Sequence, residues 1–463
     1  MNSIKVIAIF DVGKTNKKLL LFDEEYKVVF EESQQLEEIT DEDGFACENI
    51  DALTGWIRDS FKILLTKRNF DIKAVNFSAY GASFVYLDQQ LKVIPPLYNY
   101  LKPFPSDLKS NFYEKYGGEN SLALQTASPV LGNLNSGMQL YRLAKEQPGK
   151  FETIKWALHL PQYVSFVISS FICSDITSIG CHTNLWNFQL NAYHQWVSEE
   201  GLLTKFPKLQ DCTKTGGSLP AGIPVGIGLH DSSAALIPYQ SSFVEPFVLL
   251  STGTWCISLN PFNHTPLTID ELNKDCLCYL SWDGKPVKAA RLFAGYEHEE
   301  QLKRLAKHFD KPLDYFKSVE FDNRILNKLK PSEKREVNTT RKSMMGKSVF
   351  EERTFADFLN FEEAYHQLIY DIIDQQVKST NLVVKGVAVK KIFVDGGFSK
   401  NTIFMQLLAN AFTGMEVYAA SVSQASALGA ALAIHQHWNI NKIPANLIAL
   451  KLYRGSRPVA IKR

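Results

Sequence analysis

The stretch "AIFDVGKTNKKLLLFD", Ala8–Asp23, decides the fold. It contains Gly13-Lys14-Thr15, the letters that close a Walker A phosphate loop. Such a loop carries an earlier glycine five positions before its second one, and here that position is Ala8, inside an apolar run. A Walker loop also enters a helix, whereas Leu19–Phe22 reads as an apolar strand. The segment is therefore predicted to be strand, turn, strand. Asp11 stands at the end of the first strand. An ionised carboxylate among apolar neighbours is costly without a charged partner. A plain turn needs only Gly13 and Asn16, while a magnesium–phosphate ion would also explain Asp11. Amides between Gly13 and Asn16 can form an anion-binding concavity, to which Lys14, Lys17 and Lys18 add donors.

Working outward, Lys27–Phe30 gives a third strand, so three closely linked strands predict an antiparallel meander. Leu53, Trp56, Ile57, Phe61, Leu64 and Leu65 then repeat with a helical period, and Lys73–Ser78 returns to a strand. The order β-β-β-α-β is mixed, unlike the alternating pattern of a Rossmann domain. "PFVLLSTGTWCISLNPF", Pro246–Phe262, repeats the strand–turn–strand opening without a basic residue in its turn. A helix over Phe361–Val377 and a strand over Lys391–Val394 are expected to follow. Two similar domains, each supplying a phosphate-gripping hairpin and facing each other across a cleft, are expected. The break is placed near Pro238–Pro246, where turn residues cluster, and would act as a hinge. The expected domains are residues 1–240 and 241–463.

Two further stretches carry chemistry. In "IFVDGGFSKNTIFMQLLANAF", Ile392–Phe412, a strand meets Gly396-Gly397 and then a helix beginning near Asn401. The paired glycines permit close approach of a flat nucleoside. In "IPVGIGLHDSSAALIPY", Ile223–Tyr239, an apolar strand over Ile223–Leu229 ends at His230-Asp231, and Ser232-Ser233 open a helix over Ala234–Ile237. Asp231 is either an N-cap or the base that takes a proton from an attacking hydroxyl.

Composition narrows the partners. Lys+Arg number 50 against 49 Asp+Glu, so no global field favours nucleic acid or an acidic membrane. The basic run Lys328–Lys347 has no aromatic side chain and reads as a solvated loop. Seven scattered cysteines suggest reduced thiols in a cytoplasmic protein, with Cys276 and Cys278 packed rather than binding zinc. The run Val6–Phe10 is too short for a signal peptide, and no apolar stretch is long enough to span a membrane.

Taken in order, "DVGKTNKK", "GLHDSSAA", "LLSTGTW", "DGGFSKN" and "SQASALGAALA" (Ser423–Ala433) resemble the FGGY carbohydrate kinases over roughly Ile4 to Trp438. The chain is most similar to the rhamnulokinase and fuculokinase branch, through "NFSAYGASFVYLD", "LNSGMQL" and "HLPQYVSFVIS". The resemblance implies an α/β, two-domain actin/Hsp70/sugar-kinase (ribonuclease H-like) ATPase fold. It implies ATP and Mg2+ as cofactors and a small sugar as partner, with no nucleic acid or membrane; a homodimer is admitted. Asp231 would be the base and Asp11 the magnesium residue. Gly13, Lys14, Thr15, Asn16 and Lys18, with Thr252, Gly253 and Thr254, would bind phosphates. Gly396, Gly397 and Asn401 would face the adenosine. Gly81, Ser83, Gln139 and His230, beside Asp231, would face the sugar. The branch usually has Asp where Ser83 stands, Trp where Tyr80 stands, Tyr where Met138 stands and Glu where Gln424 stands. These departures bear on the sugar, leaving xylulose or ribulose as rival acceptors. A non-catalytic ATP binder of actin or chaperone type is the rival of another class.

Overall fold

The computed structural model describes residues 3–219, 222–330, 349–422 and 424–455. The apolar run of the opening stretch becomes β1 (Ile4–Val12), in which Val6–Phe10 are wholly buried. It pairs antiparallel with β2 (Lys17–Asp23), which pairs antiparallel with β3 (Val28–Gln34), giving the expected meander. Helix α1 (Ile50–Thr66) follows, started by Asn49, whose Oδ1 accepts from the Ala52 amide at 3.0 Å. Its apolar stripe of Leu53, Trp56, Ile57, Phe61 and Leu64 packs on the sheet. Trp56 meets Phe10 edge-on at 5.5 Å, and Phe10 stacks on Phe77 at 5.7 Å. Phe77 belongs to β4 (Phe70–Ala79), which lies parallel to β1.

The strand expected over Ile223–Leu229 is broken in two. β5 (Thr215–Ser218) pairs antiparallel with β6 (Pro224–Gly226), which runs parallel to β4. The chain then jogs at Gly228, with φ +79°, before β7 (Leu229–His230) rejoins β4. A side chain at Gly228 would lie 2.4 Å from the Pro161 carbonyl oxygen, so only glycine serves there. The helix that follows, which we call α4 after α2 (Ser136–Glu146) and α3 (Leu160–Ser169), spans Asp231–Ser242. It is longer than expected at both ends, and its last part, Pro238–Ser242, takes in the first half of the turn cluster expected over Pro238–Pro246.

The chain divides into two compact units. One comprises Met1–Ser242 with Cys278–Pro286 and Ser423–Leu447; the other comprises Phe243–Leu277, Val287–Val422 and Ile448–Arg463. In the first, the strand order is β5-β6-β4-β1-β2-β3. The second contains β8 (Phe247–Thr252), β9 (Cys256–Asn260), β10 (Pro286–Leu292), β11 (Lys391–Gly396), β12 (Glu416–Ser421) and β13 (Ala449–Tyr453). Their order is β13-β12-β11-β8-β9-β10, and every pairing direction matches the first sheet: β8 is antiparallel to β9 and parallel to β11. The repeat expected from two strand–turn–strand openings thus extends through six strands in each sheet.

Helices of the second unit include α5 (Ala294–His308), α6 (Phe361–Val384), which runs on beyond Val377, and α7 (Thr402–Ala411). α8 (Ala425–Ala433) belongs to the first unit. All seven cysteines are buried and none forms a disulfide, and no metal-holding cluster of His, Cys, Asp and Glu occurs among the described residues. Residues 331–347 of the basic run, and Ser423 of the closing motif, lie outside the described residues. No helix among the described residues is long and apolar enough to cross a membrane.

Candidate active site

Three neighbouring strand ends build the site of the first unit. Register pairs Asp11 of β1 with Ser78 of β4, and Ala79 of β4 with His230 of β7. Asp11 and the residue after β7, Asp231, therefore leave the sheet at the same edge. A tight helix crossing completes the arrangement. A side chain at Gly429 of α8 would lie 1.8 Å from the Ala234 carbonyl of α4, so small residues let the two helices touch. That approach brings Ser426 of α8 to Asp11, where its hydroxyl donates to Oδ2 at 2.9 Å.

The two carboxylates share an electrostatic problem. Burial pushes Asp11 up to about 6; the Ser426 hydroxyl opposes the rise and the charge of Asp231 adds to it. Burial likewise pushes Asp231 up to about 6, opposed by Ser232, whose amide and hydroxyl donate to Oδ1 at 2.5 and 3.2 Å. His230 Nε2 lies 3.3 Å from the same oxygen. Burial drives His230 down to about 4, so at neutral pH it is an uncharged imidazole and not a counter-ion. Asp231 is thus the first residue of α4 and holds its carboxylate on local donors alone.

The residues predicted for the sugar side divide into supports and candidates. Gly81 makes room: a side chain there would meet the His230 ring at 2.8 Å. Gln139 of α2 anchors the following loop, donating from Nε2 to the Ala82 and Asn133 carbonyls at 2.6 Å each. Its Oε1 and the Nδ1 of His230 are buried without a hydrogen-bond partner among the described residues. Ser83 is buried beside Tyr80. Supports that the sequence did not disclose lie behind His230: its amide donates to Thr177 Oγ1 at 3.0 Å, and Thr177 donates to the buried carboxylate of Asp175.

In the phosphate hairpin, the Gly13 amide closes on the Asn16 carbonyl at 2.9 Å, leaving Thr15 and Asn16 exposed at the tip. Lys14 pairs with Glu38 at 2.7 Å; Lys18 pairs with Glu31 at 3.1 Å and reaches Gln424 Oε1 at 3.0 Å. Lys17 departs from the expected donor role. Pairing of Val12 with Lys17 in register turns its side chain inward, where it is 2% exposed and ion-paired with Glu48.

The second unit presents its own turn. The Gly253 amide donates to the Trp255 carbonyl at 2.9 Å, and a side chain at Gly295 of α5 would strike the Gly253 carbonyl oxygen at 1.9 Å. Thr252, predicted as a phosphate ligand, has its hydroxyl engaged: it donates to the Asp395 carbonyl at 2.5 Å and accepts from the Phe398 amide at 3.0 Å. Asn401 caps α7 through the Ile403 and Phe404 amides and donates to the Tyr365 hydroxyl at 2.7 Å. Thr252 thus ties its turn to the neighbouring strand, and Asn401 fixes the start of α7. Gly396, with φ +90°, packs against the Thr252 carbonyl, whereas Gly397 is exposed with open space before it.

Known proteins supply the remaining comparison. The model of the FGGY family of carbohydrate kinases, N-terminal domain, matches residues 6–238, and two C-terminal domain models match residues 244–325 and 363–435. A rhamnulokinase from Halalkalibacterium halodurans is 22% identical over 53% of this chain and 54% of its own length. The chain spans about half the length of the curated relatives it matches. In fold it is similar to a carbohydrate kinase from Novosphingobium aromaticivorans (TM-score 0.79, 21% identity, 99% of this chain and 96% of that one). It is similar also to a xylulose kinase from Lactobacillus acidophilus (TM-score 0.78, 16% identity, 98% and 94%). On the matched domains and the shared two-domain α/β fold, this chain belongs to the FGGY family of carbohydrate kinases.

Proposed function

We propose that the chain transfers the terminal phosphoryl group of ATP to a hydroxyl of a small sugar, a ketose or deoxyketose such as L-rhamnulose or L-fuculose. The observation that carries this reading is Asp231: a carboxylate at a strand exit, raised towards neutrality by burial and not balanced by its neutral histidine neighbour. A base of that kind accepts a proton readily near pH 7. As the sugar hydroxyl attacks, Asp231 takes its proton, and the donors on Ser232 steady the carboxylate. His230, Ser83 and Gln139 are proposed to shape the acceptor side, and the hairpin Gly13–Lys18 to bind phosphates. Gly253, Thr254, Gly396 and Gly397 are proposed to serve the nucleotide from the second unit.

Asp11 fits magnesium. The ion commonly takes one or two carboxylates, several waters and substrate phosphates, and a cation would relieve the charge that burial penalises at Asp11. When bound, it would neutralise charge on the phosphates. Membership of the FGGY family supports the reaction; the 22% relative supports rhamnulose as the first acceptor to try.

The test is an ADP-release assay across L-rhamnulose, L-fuculose, D-xylulose, L-ribulose, glycerol, gluconate and no acceptor. One ketose should raise ADP formation well above the acceptor-free rate. ATP binding with no acceptor-dependent turnover would favour the non-catalytic binder instead.

A further inference from the structure

Behind the phosphate hairpin lies a buried polar chain that the proposed reaction does not use. Lys17 Nζ is ion-paired with Glu48 Oε1, and their side chains are only 3% and 4% exposed. Lys17 Nζ also donates to the Lys14 carbonyl at 3.0 Å. The other Glu48 oxygen accepts from the Tyr80 hydroxyl at 2.5 Å. Tyr80 is tied to the same region a second way, its amide donating to the Val12 carbonyl at 3.1 Å. Glu48 ends the short strand Ala46–Glu48, bridges Leu97 and directly precedes Asn49, the cap of α1, so its backbone is anchored.

Desolvating two such charges costs several kcal/mol per ion, and a well-packed apolar pair often replaces them without loss. Stability alone is therefore a poor reason for this pair. Its geometry offers another. The peptide between Lys14 and Thr15 is trans, which sets its C=O and N–H on opposite sides. By holding the Lys14 carbonyl towards the interior, Lys17 turns the Thr15 amide outward at the exposed tip. We infer that the buried Glu48–Lys17 pair, steadied by Tyr80, is a positioning device that aims the Thr15 amide at a nucleotide phosphate. This rests on the reading that the hairpin grips ATP.

The test uses the full chain, with MgATPγS binding by calorimetry and hydrogen exchange of residues 11–18. Replacing both charges, Lys17→Met with Glu48→Leu, should keep the melting temperature, weaken MgATPγS binding about tenfold and speed exchange in the hairpin. Lys17→Arg should restore most of the affinity, and Tyr80→Phe should weaken it about two- to threefold. Wild-type affinity in the double variant overturns the assignment. Should the double variant not fold, Tyr80→Phe decides, and unchanged affinity with unchanged exchange overturns it. Should the wild type bind no nucleotide, the functional reading fails separately, and the exchange arm still decides whether the pair holds the hairpin.

Discussion

The turns β1–β2 and β8–β9 occupy the same place in two sheets of the same strand order, yet they are furnished in opposite ways. The first has Asp11 before it, three lysines in or after it, and a buried ion pair beneath it. The second has no charged residue from Ser251 to Trp255, and its carboxylate, Asp395, sits instead on the neighbouring parallel strand, opposite Ser251. Glycines do there what charges do in the first: Gly295 and Gly396 bring backbone within contact of the turn. Apolar runs set the scaffold twice, and the chemistry is added at strand ends.

The largest expected effect falls where the charge is concentrated. Asp231→Asn should lower turnover by about two to four orders of magnitude, the usual weight of a general base, while ATP affinity stays near wild type. Equal turnover would place the chemistry elsewhere and remove the contrast between the units.

In the second unit, Gly396→Ala should have the larger structural effect. The position has φ +90° and the new methyl would lie 1.9 Å from the Thr252 carbonyl oxygen, so a loss of about 1–3 kcal/mol is expected in chemical denaturation. Gly13→Ala should cost about 1 kcal/mol or less, because its methyl meets only the Asn16 carbonyl, at 3.0 Å. Gly253→Ala, whose nearest neighbour is 3.8 Å away, should be close to neutral. If Gly13 proved as sensitive as Gly396, the two turns would not differ in how they are built.

Much of this was legible in the sequence, for physical reasons that particular residues show. Val6–Phe10 and Phe247–Leu250 are uninterrupted apolar runs, and such runs at a sheet centre announce themselves. Asp11 and Asp231 stood out because a carboxylate at the end of such a run demands a reason. What local pattern could not show was direction and distant partnership. Lys17 and Lys18 look alike in the sequence, but strand alternation sends one inward to Glu48 and the other outward to Glu31. Ser426 sat in a quoted motif, yet its contact with Asp11 spans most of the chain and depends on the close crossing of α8 and α4. Gly228 broke an expected strand because its conformation answers to Pro161, remote in sequence. Thr252 and Asn401 carry the residue types of ligands, and their polar atoms were committed to the fold.

Asp11 and Asp231, at the edge of the first sheet, are carboxylates whose burial opposes folding. Burial raises Asp231 from 3.8 to about 6, so between those values the folded chain binds more protons than the unfolded one. Stability therefore falls as pH rises through that window, and the cost is complete above about pH 6. Its side chain remains 35% exposed, so solvent screening leaves an effect of about 1 kcal/mol. The deciding measurement is the unfolding stability of Asp231→Asn against wild type from pH 4 to pH 8. The variant should be the more stable protein at pH 8, with the gap closing by pH 4. A variant less stable than wild type at pH 8 would show that the Asp231 carboxylate does not oppose folding.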